Sequence, residues 1–261
     1  MMLMSGGFVM VFPFLWQIMM SLSSQAESMS VPPSLWPEVA QWGNYATVFD
    51  RVPFARQFLI SVVVTILTVV GQVIFCSMAG YAFARLRFWG SGAILAIVLS
   101  ILMVPTQVYL IPQYQIVQSL GGLNTIWGIV LPGVFSAFGT FLMRQAFLGL
   151  PHELEEAARI DGANPFQLFW RVLLPLTKPS LSALTIITIL FAWNNLLWPL
   201  VITTDAADMP LVVGLANLQG QYTTDYPVLM AASLMAMAPV LLLFILLQRR
   251  VVDGLAHSGL K

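Results

Sequence analysis

Six ionisable side chains crowd between positions 153 and 171: Glu153, Glu155, Glu156, Arg159, Asp161 and Arg171. The chain as a whole is 59% hydrophobic and 8% charged, so any polar chemistry is concentrated here. The residue types argue against catalysis. No Ser-His-Asp or Cys-His arrangement stands out. No GxxxxGK[ST] loop is present to cradle nucleotide phosphates. His152 and His257 lack Cys or carboxylate partners at metal-ligand spacing. What remains is recognition: one charged, water-facing segment in a greasy chain marks where it meets something outside the lipid.

The segment reads as two short helices around a glycine. Pro151 suits a first helical position, where no hydrogen-bond donor is missed. Glu153, Glu155 and Glu156 then sit at the positive end of the helix dipole. Ala157 and Ala158 favour helix, and their small side chains let another surface approach. Asp161-Gly162 ends the helix, because Gly takes positive φ. Asn164-Pro165 restarts it as N-cap and first residue. Phe166, Phe169, Trp170 and Leu173 follow at helical spacing, and Pro175 stops the turn. The expectation is a stubby helical finger over 151–176.

The elements that carry this finger are apolar. A mean hydropathy of +0.86 is far above that of a soluble domain. Six runs approach the ~20 residues needed to cross a hydrocarbon layer: about 6–22, 58–84, 92–112, 126–148, 180–202 and 227–248. In lipid each run must satisfy its own backbone, so helices are the economical reading; the short alternating segments of a β-barrel do not occur. The expected fold class is an all-α integral membrane protein with six transmembrane helices in one domain over 1–261. The first run has no basic n-region or clear cleavage site and is expected to be retained as a helix.

Charge sets the expected orientation. With both termini in the cytoplasm, the inner segments hold nine basic residues: Arg85, Arg87, Arg144, Arg159, Arg171, Lys178, Arg249, Arg250 and Lys261. The outer segments hold only Arg51 and Arg56, with Glu27, Glu38, Asp50, Asp205, Asp208 and Asp225. The finger is then cytoplasmic. The net charge of zero offers no electrostatic case for nucleic acid. Carboxylates and lysines, the relays of ion-coupled carriers, are missing from all six runs, so energy must come from another subunit.

Other features are weaker. The outer loop at 23–57 carries Pro32, Pro33 and Pro37 with Trp36, Trp42 and Tyr45, which suit the membrane interface. Pro13, Pro105, Pro132, Pro199 and Pro239 are placed to kink their helices. The single Cys76 reads as a small buried residue, and the fourteen Met as flexible packing.

Glu156-Ala157-Ala158, then Gly162, Val172 and Leu174-Pro175, resemble the EAA loop of ABC importer permeases. The Val172 position is more often Ile in that family. Val104-Pro105 to Pro112, Leu123-Asn124-Thr125, Phe191-Ala192-Trp193-Asn194 and the tail Gln248-Arg249-Arg250 to Lys261 resemble the smaller permease of the carbohydrate, maltose-type subfamily. The likeness covers about 40–261. One departure is that no Lys or Arg occurs before Arg51, where members usually carry a basic segment.

The resemblance implies a type I importer permease without catalytic residues or cofactor of its own. ATP and Mg belong to a dimeric cytoplasmic ATPase, and the EAA loop is the coupling helix that docks into it. Glu156, Ala157, Ala158, Asp161, Gly162 and Pro175 are the implied coupling residues. Further implied partners are a second permease, usually a different chain, and an extracytoplasmic sugar-binding protein, in a bacterial or archaeal cytoplasmic membrane.

Trp193, Asn194 and Asn195 are candidates for the substrate path, since aromatic faces stack on sugars and amides pair with hydroxyls. Hydrogen bonding between membrane helices explains Asn194 about as well; Trp198 suits an interface anchor. The partner permease often supplies much of the sugar contact. Gln107 and Tyr109, with Gln113 and Tyr114, could line the path; an interface location is preferred. Asp205, Asp208, Asp225 and Tyr222 could touch a binding protein, but a solvated loop is the plainer reading. A related solute such as glycerol phosphate, or an ion-coupled carrier, are the alternatives.

Overall fold

The structure, a computed structural model, describes residues 2–32, 36–220 and 224–256. Pro33, Tyr222, His257 and Lys261 lie outside the described residues, as do the side chains of Gln248, Arg249 and Arg250. Every regular element among the described residues is helical.

The first helix, α1 (Met2–Ser21), is followed by the short α2 (Gln25–Ser28) and by α3 (Gly43–Arg51). The longest is α4 (Phe54–Arg85), 32 residues with no proline. Next come α5 (Ser91–Ser100), α6 (Thr106–Ser119), α7 (Ile126–Val130) and α8 (Ala137–Leu148). The finger holds α9 (Glu153–Ile160), α10 (Pro165–Gln167), a π-helical stretch Leu168–Leu173 and α11 (Leu174–Leu176). Finally come α12 (Lys178–Trp193), α13 (Leu197–Ile202), α14 (Leu211–Ala216) and α15 (Tyr226–Ala256). The chain packs as two compact units interleaved in sequence. The first is Met1–Ser61 with Thr203–Ile245, the second Val62–Ile202 with Leu246–Lys261.

Among the described residues, two helical segments are long and apolar enough to cross a membrane unbroken: Phe54–Arg85, with mean hydropathy 2.5, and Tyr226–Leu243, with 1.9. Val9–Ser21 is a shorter apolar helix. The run expected as one crossing over about 92–112 instead turns through 107° between Ser91–Met103 and Thr106–Ser119. Pro105 causes this turn. It forces Val104 out of the helical region, to φ −94° and ψ 119°, and itself sits extended at φ −58°, ψ 137°. The run over 126–148 bends by 46°, and Ser136 restarts it by accepting the Gly139 amide at 3.2 Å. The run over 180–202 is interrupted between Trp193 and Leu197. A further 79° bend separates Pro165–Leu176 from Lys178–Trp193.

In the first unit, Asn44 donates from Nδ2 to the carbonyls of Ser21 and Ser23, at 2.9 and 3.0 Å, where α1 leaves them without intrahelical partners. The Ser61 hydroxyl accepts the Leu211 amide at 2.7 Å, and Gln57 donates to the Ala206 carbonyl at 2.9 Å. Ser24 and Glu27 form the capping box of α2. The Glu27 carboxylate accepts the Ser24 amide at 2.7 Å, the Glu38 amide at 2.9 Å and the Ser24 hydroxyl at 2.8 Å. These donors, the Ser24 amide foremost, hold its pKa below the usual carboxylate range. A depressed folded-state pKa stabilises the loop above the unfolded pKa, and that stability is lost as pH falls through the folded value. Acidification below about pH 4 should therefore speed hydrogen exchange at the Ser24 and Glu38 amides, and Glu27→Gln should abolish that pH dependence.

In the second unit α4 meets α8 at close range, and small residues permit it. A Cβ on Gly80 would fall 2.7 Å from Met143 Cβ and 2.8 Å from the Arg144 amide nitrogen. One of those neighbours is backbone and cannot swing away. Gly80→Val should therefore cost at least the 1–3 kcal/mol typical of overpacking, read as a lowered unfolding midpoint in detergent. Cys76 is buried, as its sequence position suggested, and its thiol faces the Ser136 carbonyl at 3.5 Å. The half-buried amide of Gln72 is satisfied at both ends. Its Nε2 donates to the Gly133 carbonyl at 2.9 Å, and its Oε1 accepts the Thr188 hydroxyl at 2.8 Å.

Candidate functional site: the polar finger and its base

The first helix of the finger, α9, starts two residues later than the sequence suggests, at Glu153 instead of Pro151. His152 is its N-cap, and Pro151 precedes the helix rather than opening it. The three carboxylates do lie in the first turn, where the dipole favours them. The helix ends in a Schellman arrangement. The Ala163 amide donates to the Ala158 carbonyl at 2.9 Å and the Gly162 amide to the Arg159 carbonyl at 3.0 Å. Gly162 takes φ +83°, with nothing within 4 Å of where a Cβ would stand. A side chain there would be strained by backbone conformation alone, not by crowding. Asn164 then caps α10 as expected: its side chain accepts the Gln167 amide at 2.8 Å, and Gln167 accepts the Asn164 amide at 3.1 Å.

Beyond α10 the chain widens into the π-helical stretch. The Leu174 amide donates to the Phe169 carbonyl, five residues back. Pro175 follows at the first turn of α11, which closes at Thr177. A proline in a regular α-helix would press on the carbonyl four residues before it, here Arg171, and the wider turn eases that approach.

The finger has two faces. Inward, Ala158, Leu168, Phe169 and Leu173 are buried against Cys76 and Tyr81 of α4, Met143 and Phe147 of α8, and Leu184 of α12. Three rings interlock at this base: Tyr81 lies 5.1 Å from Phe169 and 5.6 Å from Phe147, with Phe147 and Phe169 6.0 Å apart. Outward, Glu156, Ala157, Asp161 and Gly162 are exposed. So are two large apolar side chains that a folded chain has no reason to leave bare: Ile160 is 86% exposed and Phe166 70%. The coupling residues named from sequence thus divide. Ala158 belongs to the buried base rather than to any partner-facing surface, and Pro175 is half-buried.

The base also contains an ion pair that sequence reasoning missed. Arg85, the last residue of α4, has a side chain only 1% exposed, and its Nε lies 3.0 Å from Glu155 Oε1, 9% exposed. Its Nη2 donates to the Phe147 carbonyl at 2.6 Å and to the Leu150 carbonyl. Its Nη1 stands 2.9 and 3.0 Å from the two ring nitrogens of His152. Removing one partner of such a buried pair typically costs about 3–5 kcal/mol, because the other charge is stranded. The sequence shows only that Glu155 stands three residues before Ala158, on the same helix face; nothing local in it names Arg85 as the partner.

The residues proposed for a substrate path differ in exposure. Trp193 is buried, whereas Asn194 and Asn195 are exposed at the end of α12. Asn194 donates from Nδ2 back to the Leu190 carbonyl at 2.8 Å. Trp198 is buried, and its Nε1 donates to the Gly128 carbonyl at 3.2 Å, so it ties α13 to α7 instead of anchoring an interface. Gln107 is exposed on α6; Tyr109 lines a shallow apolar groove of about 330 Å³ with Pro112, Ile116 and Leu131. In the first unit, Asp208 pairs with Arg56 at 3.0 Å, Asp205 accepts the Ala207 amide at 2.9 Å and Asp225 the Val228 amide at 3.4 Å.

The sequence from 72 to 257 matches the family described as binding-protein-dependent transport system inner membrane component. The chain is 37% identical over 258 residues to the arabinooligosaccharides transport system permease protein AraQ of Halalkalibacterium halodurans, covering 98% of this chain and 92% of that one. It is 34% identical over 265 residues to the sn-glycerol-3-phosphate transport system permease protein UgpE of Pectobacterium atrosepticum, covering 98% and 94%. Among solved structures, it superposes with a TM-score of 0.82 and 26% identity on a chain of a bacterial ABC transporter involved in the import of the acidic polysaccharide alginate, covering 95% and 93%. A chain of the inward-facing MetNI methionine ABC transporter, at 19% identity and TM-score 0.59, shares the fold. With the family match spanning well over half its length, the chain belongs to the inner-membrane components of binding-protein-dependent transport systems.

Proposed function

We propose that this chain is a permease subunit of an ATP-driven importer that carries a sugar or oligosaccharide across the cytoplasmic membrane of a bacterium or archaeon. The observation that carries the reading is the finger: rooted in three helices by an aromatic base, it presents Ile160 and Phe166 bare beside Glu156 and Ala157. Exposed apolar side chains rimmed by charge are the usual mark of a protein interface. The partner for this surface is a cytoplasmic ATPase dimer that holds ATP and Mg. Both termini and the finger are cytoplasmic in this reading, and the charge bias of nine basic residues against two supports it.

Mechanistically, nucleotide-driven closure of the ATPase moves the finger, and the finger's base moves α4, α8 and α12. A second permease completes the pathway, and an extracytoplasmic binding protein delivers the solute. The permease contributes no bond-making step; it works by binding its ligands differently in two states. The oligosaccharide class is favoured by the similarity to AraQ over 98% of the chain. A glycerol-phosphate-type solute is the second reading, favoured by the similarity to UgpE over an equal share.

The test is purification from the native membrane in mild detergent, followed by solute uptake in reconstituted vesicles. Recovery of a P-loop ATPase and a second multi-helix permease, with uptake that requires ATP and the binding protein, is the expected result. An isolated chain that drives uptake from a proton or sodium gradient would overturn the proposal. Competition between an oligosaccharide and glycerol phosphate for uptake separates the two solute readings.

A further inference from the structure

We propose that Arg85 is a positioning residue for energy coupling: it ties α9 of the finger to the end of α4 and to the C-terminal turn of α8, so that these segments move together. The inference rests on the docking reading above. One guanidinium serves three segments. It ends α4, meets Glu155 of α9 at 3.0 Å, and donates to the Phe147 and Leu150 carbonyls at and just beyond the end of α8. Only arginine offers five donors in a planar fork, with charge, in one side chain.

The placement of charges follows the helix ends. The last carbonyls of α8 have no intrahelical partner and carry the negative end of its dipole, so a cation is favoured there. Glu155 stands in the first turn of α9, where a carboxylate is favoured. Arg85 joins the two ends. Packing alone would not require a charge at position 155, because the base that α9 packs into through Ala158 is apolar; the exposed Arg159, 4.0 Å from the other Glu155 oxygen, is a further cation paired with it. Ion pairs in such surroundings stabilise less than well-packed apolar replacements, so their value lies in fixing one arrangement. Nε and Oε1 meet as charges without an aligned hydrogen bond, whereas the Nη2 bonds to the carbonyls are direct. Pull on α9 is thus passed through the carboxylate to a guanidinium already held by α8.

The experiment uses the complete transporter, with its ATPase, partner permease and binding protein, reconstituted in lipid vesicles. Glu155→Gln keeps the shape and the Arg85 carbonyl bonds but removes the charge. The variant is less stable, so each reading is taken on folded, assembled complex: the ATPase-to-permease ratio and the basal hydrolysis rate per complex should be unchanged, while solute transported per ATP falls roughly tenfold, within the usual range of coupling between sites. Arg85→Lys keeps the charge but loses the fork and should fall between wild type and Glu155→Gln. Wild-type transport per ATP in Glu155→Gln would overturn the proposal. Loss of the ATPase from Glu155→Gln would also overturn it, because the pair would then merely support the docking surface. If the wild-type chain itself retains no ATPase, the docking reading fails first and the inference with it.

Discussion

Phe166→Asp is expected to release the ATPase proposed as this chain's partner while leaving the permease folded. Phe166 is 70% exposed, and its ring contacts only Trp170, at 6.0 Å, among the ring pairs of the finger. The fold therefore loses little when it goes. The proposed ATPase interface would lose an aromatic anchor and gain a buried carboxylate, and truncations at such anchors cost about 2 kcal/mol or more, about 30-fold in affinity. The ratio of ATPase to permease after size-exclusion chromatography should drop accordingly, and ATP-driven uptake with it. The unfolding midpoint of the isolated permease should stay within about 0.5 kcal/mol equivalents of wild type, as for surface changes generally. An assembled, transporting Phe166→Asp complex would remove the finger's exposed face from the docking surface.

Phe169→Ala, three residues on, should do the opposite. Phe169 is 5% exposed and holds the base together through Tyr81 and Phe147. Removing its ring leaves a cavity beneath the finger and is expected to cost about 3–5 kcal/mol. The measurement is denaturation in detergent, where the midpoint should fall markedly. The exposed surface at Ile160 and Phe166 is untouched, so residual folded protein should still bind the ATPase. A midpoint equal to wild type would show that the interlocked rings do not carry the finger. The pair of variants separates what the finger presents from what it stands on.

Much of the finger is legible in its residue order alone. Gly162 at φ +83° and the Asn164–Gln167 cap follow from residues that have few other uses in those positions. The 107° turn after Met103 is legible only as a kink at Pro105, because proline says where a helix must break and not how far the chain then turns. The start of α9 is displaced by two residues from its expected place, from Pro151 to Glu153, since His152 takes the cap position and helix ends are set by local capping geometry. Ala158 reads in sequence as partner-facing beside Ala157, yet adjacent helical residues point about 100° apart and only one can face the base.

The amino-acid sequence by itself determined that this is an all-helical membrane chain with one charged finger, because apolar run length, proline and glycine placement and charge asymmetry are local properties. It also placed the chain among ABC importer permeases through the motif 156–175. Tertiary structure alone decided which side of the finger is bare. Ile160 and Phe166 look like core residues in a sequence, and only the packing of Leu168, Phe169 and Leu173 against α4, α8 and α12 leaves them outside. It likewise decided that Arg85 pairs with Glu155. In sequence Arg85 marks the end of a helix; its partner lies on another element, and long-range charge pairing has no local signature.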